Sequence, residues 1–343
     1  MTPRKSISVF GGGIAGLSAA QMLTRLGHAV AITAARPPAA RRIALNGASR
    51  FLLERVWGCN LASASSHHML ERRILSWDGL APVILDDDAV VADVADLVAD
   101  MKSILERNNL IEWRAESACR APDILAADAD GRDRYVTGGK RKAVQAQVLL
   151  SETADTRALS VEATASGWLV ILPIGGGMAT LMGVAPGENV CLSTLLEESR
   201  YSRSAVSQVG PSSSPSSATP RLVIPSQSAG AEMRVGDTAM RFDPISGDGV
   251  AGALRGAHLA ALVLDRRESG LDSVAPAAIY ERRLAKAMLA HLEGLVRLYI
   301  TAPLAKNWAY ELRAMETMKS DIVAMWPDRE TRAAVMENSL TTF

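Results

Sequence analysis

Two sets of glycines stand out in this 343-residue chain because their spacing can hold a phosphate and a planar ring. Gly11, Gly13 and Gly16 follow the apolar run Ile7–Ser8–Val9–Phe10, which predicts a first strand, and open a small-residue segment through Leu23 that predicts a helix. In that context the glycines have separate uses. Gly11 allows a tight turn, Gly13 lets the backbone approach a pyrophosphate, and Gly16 lets helix and strand pack closely. The first helical N–H groups, at Ile14, Ala15 and Gly16, then face the phosphates, because a helix N-terminus has no internal acceptors for them and carries a positive dipole end.

The second set lies far along the chain, in Gly236–Asp237 and Pro244–Ile245–Ser246–Gly247–Asp248–Gly249–Val250. Gly236–Asp237 ends an apparent strand, so Asp237 can hold ribityl hydroxyls. Gly247, Gly249 and Gly252 begin a helix expected over 250–264, whose N-terminus can face a flavin ring and stabilise the anionic form of its reduced state. Either set alone is weak. Together they turn a nucleotide reading into an FAD reading, with cofactor contacts at Gly11, Gly13, Ile14, Ala15, Gly16, Gly236, Asp237, Gly247, Gly249 and Val250, and with Pro244, Gly247 and Asp248 shaping the pocket over the ring.

The remaining segments must position these residues. His28–Thr33 predicts the second parallel strand. An acidic residue normally ends that strand and binds the adenosine ribose, but Ala34–Ala35–Arg36–Pro37 stands there. Arg36, Arg41 and Arg42 either reach phosphates or form a solvated basic loop. Helices are expected over 48–57 and, from the spacing of Val94, Leu97, Val98, Met101, Ile104 and Leu105, over 91–108. His67 and His68 read as part of a serine-rich surface loop, and Asp86–Asp87–Asp88 as a solvated turn without calcium-loop spacing. No metal site is expected.

Beyond Ile124 the period shortens. Strands are expected at 144–150, 159–163, 168–172 and 178–184, split by turns such as Gly175–Gly176–Gly177. Gln208–Ser217 is low in complexity and reads as a flexible linker. Two amphipathic helices follow, spanning Tyr280 to Leu298 and Trp308 to Met325. Met315, Met318 and Met325 read as core or as an adaptable surface for an apolar polypeptide.

The expected fold is therefore α/β: a Rossmann-like FAD-binding parallel sheet with an inserted antiparallel substrate sheet and a helical C-terminal segment. The expected division is 1–75, 97–132 and 230–265 for the FAD domain, 76–96 and 133–229 for the substrate domain, and 266–343 for the helical region.

Charge and composition narrow the function. The formal net charge is zero, with 48% hydrophobic residues, which gives no electrostatic reason for a nucleic-acid or anionic-membrane partner. No run reaches bilayer length, and the three cysteines, Cys59, Cys119 and Cys191, fit no disulfide or zinc pattern. They read as buried thiols of a soluble, cytoplasmic protein.

Taken together, Gly11-x-Gly13-x-x-Gly16, Asp130–Gly131 and Gly236–Asp237 with Asp243–Pro244 and Gly247-x-Gly249 resemble the FAD-dependent aromatic hydroxylase superfamily. Gly167–Trp168–Leu169–Val170–Ile171–Leu172–Pro173 is similar to the branch that holds tryptophan halogenases and the flavoproteins that modify a partner's tryptophan during tryptophylquinone cofactor maturation. The resemblance adds Asp130 and Gly131 to the cofactor contacts, alongside Arg36 and Arg42, and places Trp168 on the substrate side. Two departures disfavour halogenation. Val170 replaces the second tryptophan of the halogenase strand motif, and no lysine occurs between Lys5 and Lys102.

The resemblance implies an FAD-dependent monooxygenase hydroxylating an aromatic ring, such as a tryptophan of a partner protein. NAD(P)H or an external reductase would supply electrons. A small phenol or indole hydroxylase and a flavin-dependent isoprenoid reductase are the enzymatic alternatives. An FAD-poor polypeptide-binding scaffold or chaperone is the alternative of another class.

Overall fold

Ile7–Phe10 forms the central strand of a five-stranded parallel sheet, in the order Met233–Arg234, Ile124–Leu125, Ile7–Phe10, Val30–Thr33, Ile111–Arg114. The structure is a computed structural model, and it describes residues 6–34, 41–64, 66–79, 81–115, 122–127, 135–224, 232–270, 274–303 and 307–326. Val30–Thr33 is buried at every residue, as expected for a parallel strand covered on both faces. The helix Ile14–Arg25 packs on the helix Gly249–Glu268 through buried small residues, Ala15, Ala19 and Ala20 against Ala257, Ala260 and Ala261. Leu17 and Leu23, fully buried in the same core, each stabilise it by about 2 kcal/mol.

The helix expected over 91–108 runs Val94–Glu106 and buries Val94, Leu97, Val98, Met101 and Leu105. Its start is set by Asp93, whose Oδ1 accepts the Ala95 N–H at 2.7 Å, a side-chain cap for an otherwise orphaned donor. The residues ahead of the cap, Val90–Asp93, pair instead as a strand with Arg42–Leu45.

An eight-stranded sheet forms the second layer. Its order is Val206–Ser212, Arg141–Leu150, Met178–Pro186, Trp168–Gly175, Ala158–Ala163, Arg72–Ser76, Val83–Asp86, with Ser216–Ser217 beside Arg141–Leu150. Its neighbours are antiparallel except Ala158–Ala163 with Arg72–Ser76. The helices Val274–Thr301 and Ala309–Met325 pack together and share the main core with the parallel sheet.

Three expectations need correction. Gln208–Ser217 is largely strand, not linker: an edge strand needs backbone partners rather than apolar side chains, and Ser213 Oγ accepts the Gln145 N–H at 3.0 Å as it passes. Ser66–Met69 is a strand paired with Val90–Ala92, and His68 Nε2 lies 2.5 Å from the Thr156 carbonyl oxygen. Cys59 and Cys191 are exposed, not buried; the hydroxyls of Ser193 and Thr194 pull the Cys191 thiol down to about 7. Cys119 lies outside the described residues. Met315 and Met318 are fully buried, which bears out the core reading and leaves no surface there for a polypeptide.

Candidate functional site

Three adjacent strands of the parallel sheet release their chains at one edge. Gly11 N–H donates to Thr33 O at 2.8 Å, Ala126 N–H to Phe10 O at 2.7 Å, and Val235 N–H to Leu125 O at 3.0 Å. The glycine loop, Ala126 and Gly236–Asp237 therefore emerge side by side at the carboxyl ends of the strands, where open α/β sheets place their ligands. The approach is close. A Cβ on Gly16 would lie 2.0 Å from the Gly11 carbonyl oxygen, and one on Gly236, at φ +65°, would lie 2.7 Å from Ala15 Cβ. These contacts join two motifs separated by most of the sequence.

What the edge offers is mainly backbone. The helix Ile14–Arg25 has no acidic residue in its first turn and no side-chain cap at Gly13. The helix Gly249–Glu268 likewise starts without a side-chain cap or an acidic first turn. Positions where a Cβ would meet nothing within 4 Å include Gly13, Gly247 and Gly249, so open space faces both helix starts. Two uncapped helix N-termini with space before them fit a dinucleotide's pyrophosphate and an anion-forming ring. Beside them Arg221 Nη2 donates to the Asp237 carbonyl at 2.9 Å, and its guanidinium lies 4.3 Å from the Tyr135 ring centroid.

Behind the second helix start lies a buried polar cluster. Asp243 caps the turn Pro244–Ser246 through Oδ1, which accepts the Ile245 N–H at 3.0 Å. Its Oδ2 accepts Arg141 Nε at 3.1 Å and the Tyr299 hydroxyl at 2.9 Å. Arg141 Nη1 reaches Glu311 Oε2 at 2.6 Å, and Glu311 Oε1 accepts the Lys140 N–H at 2.9 Å. A Cβ on Gly139 would sit 1.7 Å from Glu311 Oε2, so the carboxylate occupies the space a side chain would fill. Tyr299 packs its ring against Trp77 and Trp308. The Arg141 guanidinium lies 5.6 Å from the Tyr299 ring centroid.

Burial shapes the charges here. It opposes the Arg141 cation, but Asp243, Tyr299 and Glu311 together hold the guanidinium above its ordinary value. Burial pushes the Asp243 carboxyl up, against the pull of Arg141, the Ile245 N–H and Tyr299. Burial and the Asp243 charge push the Tyr299 hydroxyl well above the usual phenol range. His291 is pushed down to about 3 by burial and by Arg141. The neutral His291 ring accepts the Asp243 N–H through Nε2 at 2.8 Å.

The structure brings Gly11, Gly13, Ile14, Ala15, Gly16, Gly236 and Asp237 to one edge, with the turn Pro244–Asp248 and the start Gly249–Val250 at the head of the helix that packs on Ile14–Arg25. Arg42 stands apart on its own strand, 3.5 Å from Asp93 Oδ2, with its Nη1 buried and unpartnered. Trp168, expected to line the substrate side, is fully buried, with its indole beside the Tyr299 hydroxyl. Arg36, Asp130 and Gly131 lie outside the described residues.

Arg141, Tyr299, His291 and Glu311 escaped the sequence reading. A signal existed for two of them. Glu311 shares a helical stripe with Met315, Met318 and Ile322, and Tyr299 shares one with Met288, Leu292 and Leu295, so each places a polar group at a core position.

The fold is that of flavin-dependent halogenases and monooxygenases. Among solved structures it is similar to the peptidyl tryptophan dihydroxylase QhpG, essential for tryptophylquinone cofactor biogenesis, with TM-score 0.66, 20% identity, and coverage of 88% of this chain and 76% of that one. It is also similar to the myxobacterial chondrochloren halogenase CndH, with TM-score 0.75 and 15% identity over 87% of this chain and 83% of the other. Klebsiella pneumoniae HpxO, solved with FAD and uric acid, gives TM-score 0.64 and 17% identity over 94% of this chain and 98% of that one. No protein-family model matches the chain, and no curated protein matches it by sequence.

Proposed function

We propose that the chain binds FAD along the carboxyl edge of its parallel sheet and acts as a flavin-dependent monooxygenase that hydroxylates an aromatic ring. The observation that carries this reading is the contact of Gly236 with Ala15, which unites the two glycine motifs beside two uncapped helix starts. The Ile14, Ala15 and Gly16 N–H groups would bind the pyrophosphate, Asp237 would accept a ribityl hydroxyl, and the Gly249–Val250 helix start would favour negative charge on the ring. The turn Pro244–Asp248 would shape the pocket above it. Asp130 and Gly131 are contacts suggested by the resemblance, and Arg36 and Arg42 are candidates for the phosphates from their place after the second strand.

When bound and reduced, FAD supplies the dioxygen activation that no side chain here provides. The protein's part is to orient the ring, exclude water and hold the aromatic substrate. The segments 1–75, 97–132 and 230–265 would form the FAD-binding unit, 76–96 and 133–229 the substrate unit, and 266–343 the helical support. Electrons would come from NAD(P)H or an external reductase. Exposed free Cys59 and Cys191 suit a reducing, cytoplasmic compartment. Among the described residues no helix is long and apolar enough to cross a membrane.

A tryptophan in a partner polypeptide is the first substrate class to test, supported by the likeness to QhpG. A small aromatic compound is the second reading, supported by the likeness to HpxO, which was solved with uric acid.

The test is visible absorbance of the purified protein with and without added FAD, then mass measurement of candidate substrates after reduction and exposure to dioxygen. Flavin bands, followed by addition of oxygen to a tryptophan-bearing polypeptide or to a free phenol or indole, would decide between the substrates. No binding at high FAD would remove the monooxygenase reading and leave the polypeptide-binding scaffold.

A further inference from the structure

We infer that Arg141, Tyr299 and Glu311 are positioning residues for the turn Pro244–Ser246 and, through it, for the helix start at Gly249. The inference rests on the FAD reading above, and it adds a role for the C-terminal helices that the glycine motifs do not suggest.

Asp243 divides its two oxygens between two tasks. Oδ1 holds the turn through the Ile245 N–H, and Oδ2 is fixed by Arg141 and Tyr299. The turn continues without slack into the helix. Ser246 Oγ donates to the Asp243 carbonyl at 3.0 Å, and Gly247 N–H donates to Pro244 O at 3.1 Å. Asp248 then precedes Gly249, and Gly252 N–H bonds Asp248 O at 2.8 Å. An unbroken run of hydrogen bonds thus links the Asp243 carboxylate to the helix start.

Three other segments fix that carboxylate. Arg141 opens a strand of the eight-stranded sheet, Tyr299 lies near the end of the helix Val274–Thr301, and Glu311 lies in the first turn of the last helix. His291, on the same helix as Tyr299, holds the Asp243 N–H from the backbone side. Arg141, Asp243 and Glu311 are all at most 1% exposed.

A buried arrangement of two carboxylates around one guanidinium is not the cheapest way to fill a core, since apolar side chains of similar volume often stabilise as much or more. What it provides is direction. Each oxygen and nitrogen accepts only certain angles, and those angles pass from the C-terminal helices to the turn.

The experiment compares wild type with Tyr299→Phe, Glu311→Gln, Arg141→Lys and a control, Ile171→Val. The control lies in a separate core cluster on the eight-stranded sheet and touches none of these groups. For each protein, FAD affinity is read by fluorescence titration, the bound flavin's midpoint potential by spectroscopic redox titration, and apo-protein stability by thermal unfolding. Tyr299→Phe removes one hydrogen bond to a carboxylate, and its FAD Kd should rise about tenfold, with a changed midpoint potential. Glu311→Gln should act in the same direction, and Arg141→Lys should keep part of the effect because it retains charge without the fork.

Ile171→Val should lower thermal stability while leaving Kd and potential at wild-type values. Wild-type Kd and potential in both Tyr299→Phe and Glu311→Gln would overturn the positioning role while leaving the FAD reading intact. Failure of wild type itself to bind FAD would overturn both. Should Tyr299→Phe fail to fold, Glu311→Gln carries the same test.

Discussion

The carboxyl edge of the parallel sheet and the cluster behind Asp243 are both joined to the start of the helix Gly249–Glu268, yet they are made of opposite materials. The edge is backbone: glycines, helix N–H groups and carbonyls placed by strand order. The cluster is side chain: a guanidinium, two carboxylates, a phenol, an imidazole and indole rings gathered from five stretches of sequence. An edge built of backbone tolerates most changes except a Cβ where its chains approach closely, at Gly11, Gly16 and Gly236. A cluster built of side chains tolerates an added Cβ almost anywhere except Gly139 but is exposed to every change of charge.

Four measurements would break or sharpen that contrast. Gly16→Val should have the largest effect, because even the Cβ it introduces would collide with the Gly11 carbonyl. Overpacking of this kind costs about 3 kcal/mol or more, so soluble folded protein should be lost, as read by circular dichroism after expression. A folded Gly16→Val would show that the loop yields more than a close-packed edge should. Arg141→Met comes next. It leaves two buried carboxylates without their cation, and chemical denaturation should show a loss of about 3–5 kcal/mol. Adding Glu311→Gln and Asp243→Asn to Arg141→Met should recover part of that loss, which no simple packing defect would allow.

The third effect depends on pH. His291 has a folded value of about 3, below its ordinary value. Its contribution is therefore complete above about pH 6.5 and is lost as the pH falls toward 3. Stability should decline by about 1.4 kcal/mol per pH unit across that window from this group alone. His291→Gln should flatten the slope measured by denaturation at several pH values.

Asp123 should give the smallest effect. Burial would raise its carboxyl, but the Ser8 N–H and hydroxyl and Arg267 outweigh burial and hold it below the usual range. Its stabilisation is thus present above about pH 4 and disappears as acid titrates it. Asp123→Asn should remove about 1 kcal/mol at neutral pH and less in acid, separating its window from that of His291.

The contrast between the two regions also explains what could be read in the sequence. Edge residues announce themselves because their function is a spacing along the chain: Gly11, Gly13 and Gly16 flanked by a strand and a helix need no distant partner to be recognised. The strand at 168–175 and the helices at Gly47–Trp57 and Gly249–Glu268 were legible for the same reason, since periodicity is local.

The cluster is long-range. Arg141 meets Glu311 across 170 positions, and nothing near Arg141 foretells which carboxylate it will find. Ser-rich 208–217 misled for a related reason: composition describes side chains, whereas its strand is made by backbone pairing with Arg141–Leu150. The exposure of Cys59 and Cys191 is not legible in residue type, because burial depends on what the fold leaves uncovered.

The eight-stranded sheet has two unlike ends. On one side the Val206–Ser212 strand presents serines, Gln208, Pro211 and one exposed valine, Val209, to solvent, and Pro lacks the N–H that another chain would need. On the other side Val83, Ile84 and Leu85 stand 55%, 63% and 45% exposed on a terminal strand, a surface of the kind that invites edge-to-edge pairing. Asp86 ends it, and Arg72 and Arg73 of the neighbouring strand stand opposite Asp86 and Leu85. The molecule thus has a blunt pole and an adhesive pole. Three side chains make that difference, and a lysine at Ile84 would place a charge at the centre of the apolar rim.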